Sequence, residues 1–212
     1  MSDLLYTLRE EETAIPEKGK AYAHRKSFED RPKGDFYATP RSLFWEVSDV
    51  VEREFDNRYP VLEPASGTNI LVEELEKLQF PVHDNDLYFG GIDYTASLLL
   101  DSYKQVITNP PFSQWDAFVQ KAKSHAEKIM MIGRLNYFGT NSRLQSGIWD
   151  HLKSVHIFNR YVDYQTPPRT DGLFHVGAMA TGWFLWDMNY DGNPTIHFVD
   201  VQKYAQLGGF RK

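Results

Sequence analysis

Asn109, Pro110, Pro111 and Phe112 follow directly on the apolar run QVIT at 105–108. Two prolines in succession end a strand and fix the backbone, which points the neighbouring carbonyl oxygens one way. An exocyclic amine on a planar ring needs two acceptors if both of its N–H bonds are to be oriented. The Asn109 side-chain oxygen and the Pro110 carbonyl can supply them, and Phe112 adds an aromatic face on which the ring can stack. The plain alternative is a Pro-Pro turn after a buried strand.

A second constellation lies upstream. Glu63-Pro64-Ala65-Ser66-Gly67-Thr68-Asn69 follows the short apolar run YPVL at 59–62. Gly67 lets a backbone approach a ligand closely, and the small Ala65 and Ser66 leave space beside it. Glu63 offers a carboxylate suited to a positively charged ligand. A dinucleotide fold would want Gly-x-Gly-x-x-Gly and helix N–H groups facing phosphate. One glycine and an acid stand here instead, so phosphate is disfavoured and an amino-acid-like or sulfonium cofactor preferred. Asp86, just past the next apolar stretch, is placed to hydrogen-bond a ribose diol, with Asp84 as the competitor. Asp93, in Gly90-Gly91-Ile92-Asp93-Tyr94, falls where an adenine amino group would find an acceptor. Each of these features is also compatible with an ordinary turn.

The elements that must position these residues read as an alternation. Residues 41–56 place Leu43, Phe44, Val47, Val50, Val51 and Phe55 on one helical face after Pro40. A strand at 59–62, a turn at 64–68 and a helix at 69–78 make the first half of a parallel α/β unit. Strands are expected at 80–83, 105–108 and 128–133, with a helix over 115–125 between the last two. Apolar segments at 155–158, 176–186 and 195–199 supply the remaining strands, the last two antiparallel across the turn 189–194. The expected fold is α/β: a Rossmann-like open, mostly parallel sheet with helices on both faces and a C-terminal antiparallel strand pair. In such sheets ligands bind beyond the carboxyl ends of the strands, where both constellations fall. Residues 1–34 read as a flexible N-terminal arm and 35–212 as a single domain.

The chain has 212 residues, 42% hydrophobic and 25% charged, the balance of one globular domain. It has no cysteine, which excludes disulfides, zinc–thiolate sites and iron–sulfur clusters. Its seven histidines are scattered, so no metal is expected. No apolar run approaches the roughly 18–20 residues of a membrane helix, and an acidic cluster stands where a signal peptide would be apolar; a cytoplasmic setting without membrane association follows. The net charge of −6 argues against non-specific coating of nucleic acid. It conceals an asymmetry: residues 35–118 carry 5 basic and 15 acidic side chains, whereas 119–169 carry 8 basic and 3 acidic. Either these charges are a solvated scatter, or one face meets a polyanion. The oligomeric state is open.

Taken in order, Asp35-Phe36-Tyr37-Ala38-Thr39-Pro40, Glu63-Pro64-Ala65-Ser66-Gly67, Asp86, Asp93 and Asn109-Pro110-Pro111-Phe112 resemble the motifs of S-adenosylmethionine-dependent DNA N6-adenine methyltransferases, the compact phage-type members most of all. The resemblance runs from about 35 to 200 and includes Arg134-Leu135 and the segment Trp183-Phe184-Leu185-Trp186. It departs from the usual pattern in having Thr68-Asn69 after Gly67 in place of a Gly-x-Gly ending. It implies that Tyr37, Thr39 and Pro40 close over the methionine part of S-adenosylmethionine. Glu63, Pro64, Ala65, Ser66 and Gly67 would line the amino-acid end, Asp86 the ribose, and Asp93 the adenine, with Asn109 at the junction with the target. Asn109, Pro110, Pro111 and Phe112 would form the catalytic element around an adenine flipped out of duplex DNA. Arg134, Arg143 and Arg169 are the expected DNA contacts. Adenine in RNA and a protein glutamine are the nearest rival acceptors, and a non-catalytic module that keeps the cofactor fold is a rival of another class.

Overall fold

The computed structural model describes residues 39–164 and 175–201. The arm expected at 1–34 lies outside the described residues. Two helices come first, α1 (Ser42–Trp45) and α2 (Ser48–Glu54). Then β1 (Val61–Glu63), α3 (Ile70–Lys77), β2 (Val82–Asp84), β3 (Gln105–Thr108) and α4 (Trp115–Lys123) build the parallel half. The chain continues through β4 (Lys128–Arg134), α5 (Asn141–Gln145), β5 (Leu152–Phe158), β6 (Val162–Asp163), β7 (His175–Val176), β8 (Thr181–Asp187) and β9 (Thr195–Val199). A seven-stranded sheet has the order β2-β1-β3-β4-β8-β5-β9, and β6 pairs with β7 in a separate two-stranded antiparallel sheet.

All neighbouring pairs in the large sheet are parallel except those that β8 makes with β4 and β5. Strands β8 and β9 run in opposite senses, as the sequence suggests, but β5 lies between them. All seven residues of β8 are buried, as befits a strand flanked on both edges and both faces. The side chains of β3 and β4 divide between two cores. Ile107, Met130 and Ile132 join α1, α2 and α3 on one face, while Val106, Ile129 and Met131 join α4 on the other. Helices therefore cover both faces.

The helix expected over 41–56 is divided at Glu46–Val47. The Ser48 hydroxyl donates to the Trp45 carbonyl at 2.9 Å and Val47 N–H turns back to Phe44, drawing the backbone out of the helical ladder. Helix α1 is held to α3 by the fully buried Glu74, whose carboxylate accepts from Trp45 Nε1 at 2.8 Å, from Lys77 and from Arg41. A buried carboxylate is tolerated because it is paired in this way. Arg41, next to Pro40, also reaches Glu73. On the opposite face Trp115 lies so close to Gly133 that a Cβ there would sit 2.8 Å from its indole nitrogen. The Trp115 indole N–H donates instead to the Ile132 carbonyl at 2.9 Å.

Candidate active site

From β1 the chain crosses to β2 on one side and then returns to β3 on the other. This reversal opens a crevice at the carboxyl ends of β1 and β3. Glu63 ends β1 and Asn109 follows β3, so the two constellations meet there. The link is direct. The Thr108 hydroxyl donates to Glu63 Oε1 at 2.5 Å, and the same oxygen accepts the Ala65 N–H at 2.9 Å. Glu63 is fully buried, and its Oε2 has no hydrogen-bond partner among the described residues. Burial pushes its carboxyl up to about 8, the two hydrogen bonds oppose this, and the nearby charges of Asp86 and Asp84 add to it.

The loop after β1 is tied to the loop after β2 by two side chains. Asp86 accepts the Gly67 N–H on Oδ2 at 2.9 Å and the Tyr88 N–H on Oδ1 at 2.8 Å, the latter capping a 3₁₀ turn. Gly67 has φ 51°, in the left-handed region that glycine enters without a Cβ penalty. Asn85 escapes the sequence reading. Its amide bonds both the N–H and the carbonyl of Ile92 at 2.9 Å, and its backbone accepts from Ser66 and donates to Glu63. An asparagine in a short polar run gives no signal of such a role. Asp84 ends β2 in register with Glu63 and is exposed. Asp93 is exposed as well; its Oδ1 accepts the Thr95 N–H and hydroxyl, which hold the carboxyl below its ordinary range. Among the described residues it is bonded to none of the other expected site residues.

Thr39 and Pro40 are both buried, and Thr39 meets the second constellation. Asn109 Nδ2 donates to Thr39 Oγ1 at 3.0 Å across 70 positions of sequence, which orients the amide with its oxygen on the other side. Tyr37 lies outside the described residues. Phe112 is buried, its carbonyl accepts the Tyr137 hydroxyl at 3.0 Å, and its ring meets Tyr164 edge to face at 5.4 Å. The Arg134 guanidinium lies over the Phe112 ring, Cζ 4.8 Å from the centroid. Arg143 is one residue removed, over the Tyr137 ring at 4.2 Å and paired with Asp116 at 2.7 Å. Arg169 lies outside the described residues.

Among the described residues of the basic segment, four of the basic side chains are paired with acids, Arg143 and three lysines. Lys121 pairs with Asp101, Lys128 with Asp187, and Lys153 with Glu54, each at 2.6 Å. Lys123 donates to the carbonyls of Gly147 and Asp150. The acids around Glu63 and the lack of a glycine-rich phosphate cradle fit a cationic ligand without phosphate, as S-adenosylmethionine is. Among the described residues no three potential metal ligands gather, and no helix is long and apolar enough to cross a membrane.

The architecture has counterparts among solved structures. It is similar to the methyltransferase subunit of a type I restriction-modification system from Streptococcus thermophilus, with 11% identity over 77% of this chain and 47% of that one, at a TM-score of 0.52. It is likewise similar to a modification subunit of a candidate type I restriction enzyme from Vibrio vulnificus, with 15% identity over 77% of this chain and 47% of that one, at a TM-score of 0.50. The chain thus spans about half the length of these two proteins. The likeness is one of fold, a Rossmann-like open sheet with helices on both faces. No family model matches the sequence, and no curated protein matches it.

Proposed function

We propose that this chain transfers a methyl group from S-adenosylmethionine to the N6 amino group of adenine in DNA, as a compact, phage-type enzyme whose catalytic domain is residues 35–212. The observation that carries this reading is the placement of Asn109-Pro110-Pro111-Phe112 beside the Glu63–Gly67 loop at the sheet's crevice, joined by the Thr108–Glu63 hydrogen bond. A target amine held by the first and a cofactor held by the second are then neighbours.

When bound, the cofactor supplies an electrophilic methyl group on a sulfonium. Glu63, Pro64, Ala65, Ser66 and Gly67 line its amino-acid end, Thr39 and Pro40 cover the methionine part together with Tyr37, and Asp93 takes the adenine. Asp86 and Asp84 are the two candidates for the ribose diol; Asp86 is buried and holds the loop through the Gly67 and Tyr88 N–H groups, and the exposed Asp84 is the more open of the two to the diol. The Asn109 oxygen and the Pro110 carbonyl orient N6 and stabilise the positive charge that grows on it as the bond forms. Phe112 fixes the plane of the base.

Radiolabelled cofactor offered side by side with unmodified DNA, RNA and protein tests the reading. Label is expected in DNA and, after hydrolysis, in N6-methyladenine. Label in RNA or in a protein glutamine overturns the choice of acceptor, and bound cofactor without transfer to any acceptor overturns the catalytic reading.

A further inference from the structure

Three partly buried arginines are described: Arg41, Arg134 and Arg143. Arg41 pairs with Glu73 and Glu74, and Arg143 pairs with Asp116. Arg134 has no carboxylate within ion-pair distance among the described residues, and its buried Nε has no hydrogen-bond partner there. It lies over the ring of Phe112, with Cζ 4.8 Å from the centroid. A guanidinium is planar, stacks on aromatic faces and binds phosphate bidentately. Arg134 therefore covers one face of the ring, where a base would stack, without a counter-ion among the described residues.

The backbone on either side of this contact is fixed. Arg134 ends β4 in register with Thr181 of β8, and the next N–H, of Leu135, donates to the Ala180 carbonyl at 3.0 Å. Phe112 is anchored through its carbonyl by the Tyr137 hydroxyl, and its ring abuts Tyr164. Tyr164 is in turn held by the Thr181 hydroxyl at 2.9 Å. With both backbones pinned and Phe112 wedged, the Arg134 side chain is the part that can move.

We propose that Arg134 occupies the stacking position of the target base in the unliganded protein and gives it up when DNA binds, its guanidinium passing from the Phe112 ring to a backbone phosphate. The inference rests on the proposed stacking of adenine on Phe112 and adds to it a built-in competitor. A base without its phosphates must displace the guanidinium with no compensation. A base within DNA brings the counter-ion that draws it away, so the site favours adenine in a polynucleotide over the free nucleoside.

The test compares full-length wild type with Arg134→Ala and Arg134→Lys, using 2′-deoxyadenosine and a duplex oligonucleotide as separate probes in the presence of cofactor. Calorimetry reads both affinities, and thermal unfolding checks each variant. Arg134→Ala is expected to bind the nucleoside about 3- to 10-fold more tightly and the duplex more weakly, with the slope of log affinity against log salt reduced by about 0.9. Arg134→Lys, which keeps a phosphate-binding charge but no flat group to stack, is expected to tighten nucleoside binding while keeping the duplex salt slope. These opposite responses to two ligands are not produced by a merely structural arginine. Unchanged or weaker nucleoside binding in both variants overturns the proposal, even where the wild type methylates DNA. A wild type that binds neither probe and methylates no DNA overturns the functional reading and the proposal together.

Discussion

Asp86 accepts the Gly67 N–H at 2.9 Å, nineteen positions away in sequence, and so fastens the loop after β1 to the loop after β2. The carboxylate is itself buried and takes a second N–H from Tyr88. It acts on whatever ligand the Glu63–Gly67 loop binds by keeping that loop in one conformation, whereas Asp84, two residues earlier and exposed, stands open to solvent.

The two acids should therefore respond differently to removal. Asp86→Ala leaves buried N–H donors unsatisfied and should lower stability by about 1–3 kcal/mol, with cofactor affinity falling alongside. Asp84→Ala should leave the melting temperature unchanged and weaken S-adenosylmethionine by about 5- to 30-fold, the worth of a hydrogen bond of roughly 1–2 kcal/mol. Calorimetry and thermal unfolding on both variants decide the assignment. Equal cofactor affinity in wild type and Asp84→Ala would return the ribose to Asp86.

Asn109→Ala should reduce methyl transfer by about 100- to 1000-fold, the usual cost of losing one oriented group at a transition state. Cofactor affinity should stay within a few-fold, because the cofactor is assigned to other residues. Thr39→Ala, which removes the partner of the Asn109 amide nitrogen, should give a milder loss by leaving the oxygen less well aimed. A transfer assay and a binding titration on the same preparations separate the two effects. Full activity in Asn109→Ala would sink the catalytic assignment.

Much of the fold is legible because its signals are local. QVIT at 105–108 is a strand with those bounds, and the proline pair ends it, as the lack of an N–H requires. What is missed is carried by contacts distant in sequence. The division of the first helix depends on a hydroxyl-to-carbonyl bond that periodicity does not register. The position of β5 between β8 and β9 is a choice of sheet order, to which hydrophobic pattern is blind. Counting charge along the chain suggests a basic face at 119–169, yet Lys121 and Arg143 meet Asp101 and Asp116, acids that the count assigns to the acidic half. Glu63 and Asn109 are legible as chemistry, but the Thr108 bridge between them and the Asn85 clasp appear only once β1, β2 and β3 lie side by side.

His156 gives a pH dependence that the scattered histidines do not announce. It is buried on β5, stacks on His197 of β9 at 4.8 Å, and shares its Nε2 with the Ser154 hydroxyl at 3.0 Å. Burial lowers it to about 4, the charges of His197 and Arg53 add to this, and Asp49 and Glu54 oppose it. The unfolded chain takes up a proton near 6.5 and the folded one only near 4, so stability is lost as pH falls through that window. The loss by pH 4 is on the order of 2–3 kcal/mol. Glu63 gains stability over the same range in both proteins, so the readout is the difference in urea stability between wild type and His156→Gln, which should move in the variant's favour by about that amount from pH 7 to pH 4.5. A difference that does not change with pH would place the acid sensitivity elsewhere.

Glu63 acts in the opposite sense. Its carboxyl is raised from 4.5 to about 8, with desolvation the largest cause, so the folded protein holds a proton that the unfolded chain has already lost. Stability from this group is complete at low pH and declines as pH rises from 4.5 through 8, by about 1.4 kcal/mol per pH unit in the middle of the window. Between pH 7.5 and 8.5 the His156 contribution is nearly flat, so the Glu63 slope is read there. Both hydrogen bonds from Thr108 and Ala65 fall on Oε1, which leaves Oε2, the oxygen with no partner among the described residues, open to a proton. A cationic group arriving beside Oε2 favours the ionised carboxylate and releases that proton. Binding of S-adenosylmethionine should therefore tighten from pH 6.5 to 8 and release protons, which calorimetry in buffers of different ionisation enthalpy measures directly. Glu63→Gln keeps the shape without the titration. It should lose stability less steeply over this range and bind the cofactor more weakly, with no pH trend and no proton release. Parallel pH profiles for wild type and Glu63→Gln, in both stability and cofactor affinity, would remove Glu63 from the cationic end of the site.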